Sequence, residues 1–366
     1  MSIGIITMHK VLNCGSALQA YALQRKLQQM GYESEIIDYR YEDKGLSGRS
    51  PKARVSAFLS NALFGFPNVR MKRKFQDFYK RNLVLSGQSY DRESIMRNPP
   101  GYDLYIAGSD QIWNPRFIGD DVNFMLAFTS GGDRRISYAS SIAADSVEGR
   151  MKDVYSGYLS RFQSISVREQ SGVDIIKELT GKDATVCCDP TLLLAREDWD
   201  ALAARSRYKA GEEYILVYAL SYMFDPFPEI YAIVDKVQQT LGLKVVFLQG
   251  RAGDVLRRGS KLIKSAGPAD FAWLFKHASF VVTTSFHGAA FSLIYDKPLI
   301  GVVDSRLGSD SRIRSLLEEV SAADSIYDYR DTVNLDASSL LQLKGDGKAL
   351  EKMVERSTNY LKDNLK

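Results

Sequence analysis

Apolar residues along this chain come in two alternating rhythms. Short continuous runs, the length of a buried strand, give way to stretches whose apolar positions recur every three or four residues, as on one helix face. IGIITM (3–8) is the first run. After the polar turn HKVLNCGS, ALQAYALQRKLQQMGY (17–32) sets Leu18, Tyr21, Ala22, Leu27 and Met30 near one face. SEIIDYR (34–40) restores the strand pattern after Gly31. A strand–helix–strand unit of this kind closes as a right-handed parallel crossover. Further strands are predicted at DLYIAGS (103–109), RISYAS (135–140), SISVRE (164–169) and ATVCCDP (184–190), with a helix, QSGVDIIKELTG (170–181), joining the last two. Residues 41–100 break the rhythm. KGLSGRSPKAR (44–54) reads as a mobile loop, followed by helical pieces around 55–63 and 69–82.

The second half repeats the theme. EYILVYAL (213–220), KVVFLQG (244–250), SFVVTTS (279–285) and PLIGVV (298–303) read as strands between helices near 227–241, 268–277, 287–296 and 309–320. The stretch from Pro190 to Gly211, with the helical REDWDALAARS, is the natural connection, and a helix over 347–366 could pack back across the first domain. The expectation is two doubly wound α/β domains, 1–195 and 196–366, both Rossmann-like and facing a cleft. Parallel strands turn their carboxyl ends and the following helix N-termini toward one crevice, so functional residues should stand just after strands.

Composition narrows the class. The 366 residues exceed what one hydrophobic core usually serves, and 45% hydrophobic with 25% charged is ordinary for a globular protein. The net charge of +4 is spread along the chain, which suits a small anionic substrate at least as well as nucleic acid. The densest basic stretch, RMKRKFQDFYKR (70–81), has apolar residues at helical spacing and reads as a solvated helix face, so no nucleic-acid partner is expected. Three cysteines, Cys14, Cys187 and Cys188, make neither a disulfide framework nor a metal site. The start of the chain reads as a strand rather than a signal peptide, and no apolar run reaches the roughly 20 residues of a membrane span. A cytoplasmic protein is expected.

Four segments put chemistry after a strand. In TMHKVLNCGSALQ, the helix N-terminus around Gly15 and Ser16 could hold an anion or a sugar hydroxyl, or be an ordinary turn capped by Asn13. YIAGSDQIWNP offers Ser109, Asp110 and Gln111 as hydrogen-bonding groups and Trp113 as an aromatic plate for a sugar; the alternative is a capped helix with Trp113 in the core. In SVREQSG, Arg168 presents a planar fork suited to carboxylate or phosphate, unless it is a surface residue paired with Glu169. In SFHGAAFSLI, His287 can exchange a proton near neutral pH, and Gly288 lets either a ligand or the sheet approach closely. His9 and His277 fit a structural role better.

Taken together, NCGSALQAYAL, GSDQIWNP, SVREQSG, CDPTLLL and TTSFHGAAFSLIYDKPLIGV resemble the polysaccharide pyruvyl transferase family, in family order, from residue 3 to about 318. The resemblance implies two domains of glycosyltransferase B type and transfer of the enolpyruvyl unit of phosphoenolpyruvate onto a sugar or lipid-linked oligosaccharide, as a pyruvate ketal. It implies no cofactor beyond phosphoenolpyruvate as co-substrate, no metal, and, with a lipid-linked acceptor, work at the cytoplasmic face of a membrane. Arg168 then resembles the anion-binding arginine, with Ser285, Gly288 and Arg312 on the donor side. His287 resembles the general acid or phosphate donor, and Asp110, from its place after a strand, could accept a proton from a sugar hydroxyl. Asn13, Gly15, Ser16, Ser109, Gln111 and Trp113 fall on the acceptor side. Some family members carry a basic residue where this chain has Ser285; Arg312 or Arg314 could replace it. The rival readings are a nucleotide-sugar glycosyltransferase, using Asp304 or Asp310 for ribose, and a non-catalytic glycan-binding module. Nothing in the pattern specifies an oligomeric state.

Overall fold

The computed structural model describes residues 1–41, 67–144, 146–209, 211–221, 224–251, 253–254, 257, 259–307 and 312–366. The loop expected at 44–54 and the helical piece at 55–63 lie outside these residues.

The chain divides into two compact units. Unit 1 comprises Met1–Pro51, Tyr79–Leu194 and Lys352–Lys366, and unit 2 comprises Lys52–Phe78 and Ala195–Glu351. The division is therefore not a single cut near residue 195.

In unit 1, strands β1 (Ser2–Ile6), β2 (Glu33–Tyr39), β3 (Leu85–Tyr90), β4 (Leu104–Ala107) and β5 (Arg135–Ser137) form one parallel sheet in the order β3-β2-β1-β4-β5. Single bridges, Ile136 to Ser164 and Ser140 to Val167, extend it to β6 (Ser166–Val167), which pairs in parallel with β7 (Thr185–Val186). The central strands read as unbroken apolar runs because helices cover both faces. Helix Cys14–Gln29 buries 11 of its 16 residues and stops at Met30 and Gly31, whose φ of +88° an L side chain seldom adopts. The core joins Ile6, Ile37, Ala107, Trp113, Phe124, Tyr155 and Ile176.

The long helix Gly347–Asn364 buries Met353, Ser357, Tyr360 and Leu361, which share one face. Within unit 1 it closes the β5–β7 side: the Tyr360 hydroxyl donates to the Ser137 carbonyl at 2.9 Å, and the Cys188 amide donates to Ser357 Oγ at 2.8 Å. Cys14, Cys187 and Cys188 are free and buried.

Unit 2 holds a six-stranded sheet made of β8 (Tyr214–Tyr218), β9 (Lys244–Leu248), β10 (Ser260–Ile263), β11 (Phe280–Thr283), β12 (Leu299–Val303) and β13 (Ile326–Asp328). The order is β10-β9-β8-β11-β12-β13, parallel throughout. Its core gathers Ile215, Val217, Phe247, Val282, Ile300 and Val302 with the apolar face of helix Ile230–Leu241. Among the described residues no helix is long and apolar enough to cross a membrane.

Strands β3, β10 and β13 carry no apolar run. Each has only one neighbour in its sheet, so little of it must be buried, and the hydrophobic pattern does not mark it.

Candidate active site

Each sheet reverses its winding once. In unit 1 the reversal lies between β1 and β4, and in unit 2 between β8 and β11. Carboxyl ends of strands at such a switch point leave room for a ligand.

In unit 1 the chain leaves β1 through Thr7, whose hydroxyl donates to the Ser109 carbonyl at 2.9 Å and accepts from Gln19 Nε2 at 2.9 Å. This ties the ends of β1 and β4. Asn13 caps the following helix, accepting the Gly15 amide at 2.8 Å and the Ser16 amide at 3.4 Å. The Ser16 hydroxyl is thereby aimed at Asp110, to whose Oδ2 it donates. Asp110 itself sits in the left-handed region at φ +71°, and Ala139 and Ala143 do the same at +49° and +47°. Three non-glycine residues held this way, each costing on the order of 1–3 kcal/mol, mark a strained rim beyond β4 and β5.

Arg168, directly after β6, is sealed, its side chain 1% exposed. Its Nη1 stands 2.7 Å from Asp189 Oδ2, and its Nη2 stands 3.9 Å from Asp110 Oδ1. Burial works against the guanidinium charge, but Asp189, Asp110 and Glu169 outweigh it and hold the pKa above the ordinary arginine value. Arg168 is therefore neither the exposed partner of Glu169 nor, in this conformation, an open clamp for the donor anion. It fixes the two aspartates. Glu169 turns away: Oε1 accepts the Ser141 hydroxyl at 3.0 Å and the Ile142 and Ala143 amides at 2.8 and 2.9 Å, which pins the strained rim.

Of the other acceptor-side candidates, Ser109 is buried and donates to the Ala139 carbonyl at 2.8 Å. Gln111 Oε1 accepts from Asn114 Nδ2 at 2.8 Å. Trp113 requires a correction. It is fully buried, its indole N–H donates to the Phe124 carbonyl at 3.0 Å, and its ring meets Phe162 edge-on at 5.7 Å. Core burial is its role, so it is no plate for a sugar. Asn13 is likewise engaged as a cap.

In unit 2 the ends of β8 and β11 are laced by hydroxyls. Thr283 Oγ1 donates to the Tyr218 carbonyl at 2.7 Å, and Thr284 Oγ1 accepts the Leu220 amide at 2.7 Å. Ser285 caps helix Phe286–Ile294, accepting the Gly288 amide at 3.4 Å. That bond occupies Ser285 with capping. His287 lies in the first turn, largely buried, edge-on to the Phe286 ring at 5.4 Å. A Cβ on Gly288 would stand 2.2 Å from Thr283 Oγ1, so this glycine serves close helix-to-strand packing. Arg312 opens helix Arg312–Glu319, and Arg314 pairs within that helix with Glu318 at 3.6 Å. Asp304 is taken by Arg306, at 2.9 and 2.7 Å, which leaves it poorly placed to bind ribose; Asp310 lies outside the described residues. His277 stacks on Trp273 at 4.1 Å.

Asp189 escaped the sequence reading, and Glu169 was expected only as a surface partner of Arg168. Asp189 follows the strand-like ATVCC run, so the rule that selected Arg168 would have selected it too.

Each unit by itself presents a group suited to acid–base work on hydroxyls. Asp110 is a fixed carboxylate that already accepts a hydrogen bond from an alcohol, and His287 stands at the positive end of a helix. Solved structures similar to this chain share its fold at low identity. A UDP-GlcNAc 2-epimerase from Methanocaldococcus jannaschii gives a TM-score of 0.53 at 12% identity, over 98% of this chain and 100% of that one. S. aureus MnaA, solved with UDP, gives 0.52 at 14% identity, over 99% and 96%. The N-terminal domain of Candida albicans trehalose-6-phosphate phosphatase gives 0.51 at 9%, over 100% and 96%. No curated protein matches the chain.

Two parallel doubly wound units, with these likenesses, place the chain in the glycosyltransferase B fold class. The family model described as polysaccharide pyruvyl transferase matches residues 13–306, and the chain belongs to that family.

Proposed function

We propose that this transferase takes the enolpyruvyl unit of phosphoenolpyruvate and closes it as a pyruvate ketal on two hydroxyls of a sugar, in the cytoplasmic assembly of a surface polysaccharide. The observation that carries the reading is the Asp110 carboxylate of unit 1, with His287 read separately within unit 2. Each stands at the switch point of its own sheet, and Asp110 has the Ser16 hydroxyl on its carboxylate where an alcohol must be deprotonated.

In this scheme an acid gives its proton to C3 of phosphoenolpyruvate, which makes C2 electrophilic. One sugar oxygen bonds to C2 and its proton passes to a base. A second hydroxyl then attacks C2, the C–O bond to phosphate breaks, the hydroxyl's proton returns to the acid spent in the first step, and inorganic phosphate leaves with the ketal complete. His287 is assigned as the acid, or as a donor to the phosphate together with the first-turn amides of its helix. Asp110 is assigned as the base, held in place by Arg168 and Asp189. Charge is handled by side chains and N–H groups, so no cofactor is assigned and activity should survive a strong chelator.

The test is incubation with phosphoenolpyruvate and a panel of sugars and lipid-linked oligosaccharides, following phosphate release and the mass gain of the acceptor. His287→Gln is expected to lower turnover roughly 10²–10⁴-fold, with a smaller effect on phosphoenolpyruvate affinity if it is the acid and a parallel loss if it only clamps phosphate. Asp110→Asn should slow turnover with donor affinity kept. Wild-type turnover in both variants would remove the assignment.

A further inference from the structure

The basic stretch at 70–81 has no place in the chemistry above. Helix Pro67–Asn82 contains six lysines and arginines and one aspartate, a net of five positive charges, whereas the whole chain nets +4. The rest of the chain is thus close to neutral. The even spread of charge expected from composition therefore does not hold: an excess of this size sits in one helix.

One side of the helix is anchored. Phe75 and Phe78 are buried, and Lys74 Nζ stands 2.7 Å from Asp270 Oδ2 and donates to the Ser265 carbonyl at 2.8 Å. The other five cations, Arg70, Lys72, Arg73, Lys80 and Arg81, are exposed, and among the described residues the Lys74–Asp270 contact is the helix's ion pair. At about 100° per residue, Arg70, Arg73, Lys80 and Arg81 fall in an arc of about 100° that also holds Asp77, so they line one stripe, net positive by three charges, of a rod about 24 Å long. Val69, 49% exposed, adjoins that stripe. Among the described residues none of these five cations is ion-paired, with Asp77 or any other carboxylate, so their field is left for a partner.

We propose that this stripe docks the protein on an anionic phospholipid surface. A straight row of cations beside a small apolar residue matches a plane of headgroup phosphates, with Val69 at the acyl boundary. Single-stranded nucleic acid, the other common polyanion, is gripped by cations interleaved with exposed rings. Here Phe75 and Phe78 are inside, and the Tyr79 hydroxyl is spent on the Val11 carbonyl at 2.9 Å. The inference needs no substrate, so it stands or falls apart from the proposed reaction.

The experiment is co-sedimentation of the full chain with vesicles of phosphatidylcholine, with and without phosphatidylglycerol, at low and raised salt. Binding is expected on the anionic vesicles alone and should weaken as salt screens it. Each basic residue near such a surface is worth on the order of fivefold in partitioning, so Arg73→Gln with Lys80→Gln should weaken binding roughly 25-fold at an unchanged melting temperature. Lys152→Gln with Lys177→Gln, exposed lysines elsewhere, should leave it unchanged. Equal binding to neutral vesicles, an equal loss in both double variants, or no loss in the first would overturn the proposal. So would tighter binding of a nucleic-acid oligomer than of the anionic vesicles.

Discussion

Replacing Gly288 by alanine should damage unit 2 out of proportion to one methyl group. The added Cβ would lie 2.2 Å from Thr283 Oγ1, 3.0 Å from its Cβ and 3.1 Å from its Cγ2. Thr283 cannot simply swing aside. It is fully buried, its hydroxyl donates to the Tyr218 carbonyl at 2.7 Å, and that same oxygen accepts the Ser285 amide at 3.0 Å. Overpacking a tight site costs about 1–3 kcal/mol, and weakening the hydrogen bonds adds about 1 kcal/mol, so roughly 2–4 kcal/mol is expected. For a domain of this size that is a fall of about 5–15 °C in Tm, readable by calorimetry. Turnover measured well below Tm should drop as well, because His287 is the preceding residue of the displaced turn. Thr283→Ala in the Gly288→Ala background removes the nearest atom, and the pair should be non-additive by about 1 kcal/mol or more. A Tm unchanged in Gly288→Ala, or strict additivity in the pair, would mean that the helix start is not pressed on the strand end.

Two further outcomes follow from buried charge. Arg168→Gln leaves Asp110 and Asp189 without their cation and should cost about 3–5 kcal/mol in chemical denaturation, whereas Arg168→Lys keeps the charge without the fork and should retain more stability than turnover. At the end of β2, burial opposes ionisation of Asp38, yet hydrogen bonds from His9 and Lys10 and the Lys10 charge, 2.5 Å away, bring its pKa down to about 2. A folded pKa below the unfolded one stabilises above the ordinary carboxylate range, and that contribution drains away as pH falls toward 2. Wild type should therefore exceed Lys10→Met in stability by a constant margin above about pH 5 and lose the margin by about pH 2 in acid-unfolding curves. A margin independent of pH would contradict this.

Where the fold was legible, burial made it so. Strands β1, β4, β8, β11 and β12 are closed in on both faces, and their apolar runs cannot be mistaken. LSGQSY, by contrast, becomes β3 through edge pairing with β2, a tertiary fact with no local signature. The site was legible by position more than by role. Asp110, Arg168 and His287 all follow strands as expected, but a sequence does not say whether a guanidinium faces a ligand or a carboxylate. For Arg168 the decision rests with Asp189, distant in the chain until β6 and β7 pair. Trp113 misled for a related reason: an indole suits a sugar face and a core equally, and only the carbonyl of Phe124 at its N–H tells which.

Unit 1 draws residues 352–366 from beyond the 195–351 stretch that builds unit 2. On a ribosome, the strands of unit 1 are complete long before the segment that carries Ser357 and Tyr360 has been translated. Until then the Cys188 amide and the Ser137 carbonyl lack the partners they have in the finished protein. The nascent first unit must wait, with its β5–β7 side uncovered, while the whole of the second is synthesised. Domains that fold in order of emergence can be cut apart at a linker; this one cannot, and a fragment ending near residue 195 would need the 352–366 peptide supplied in trans to finish its sheet.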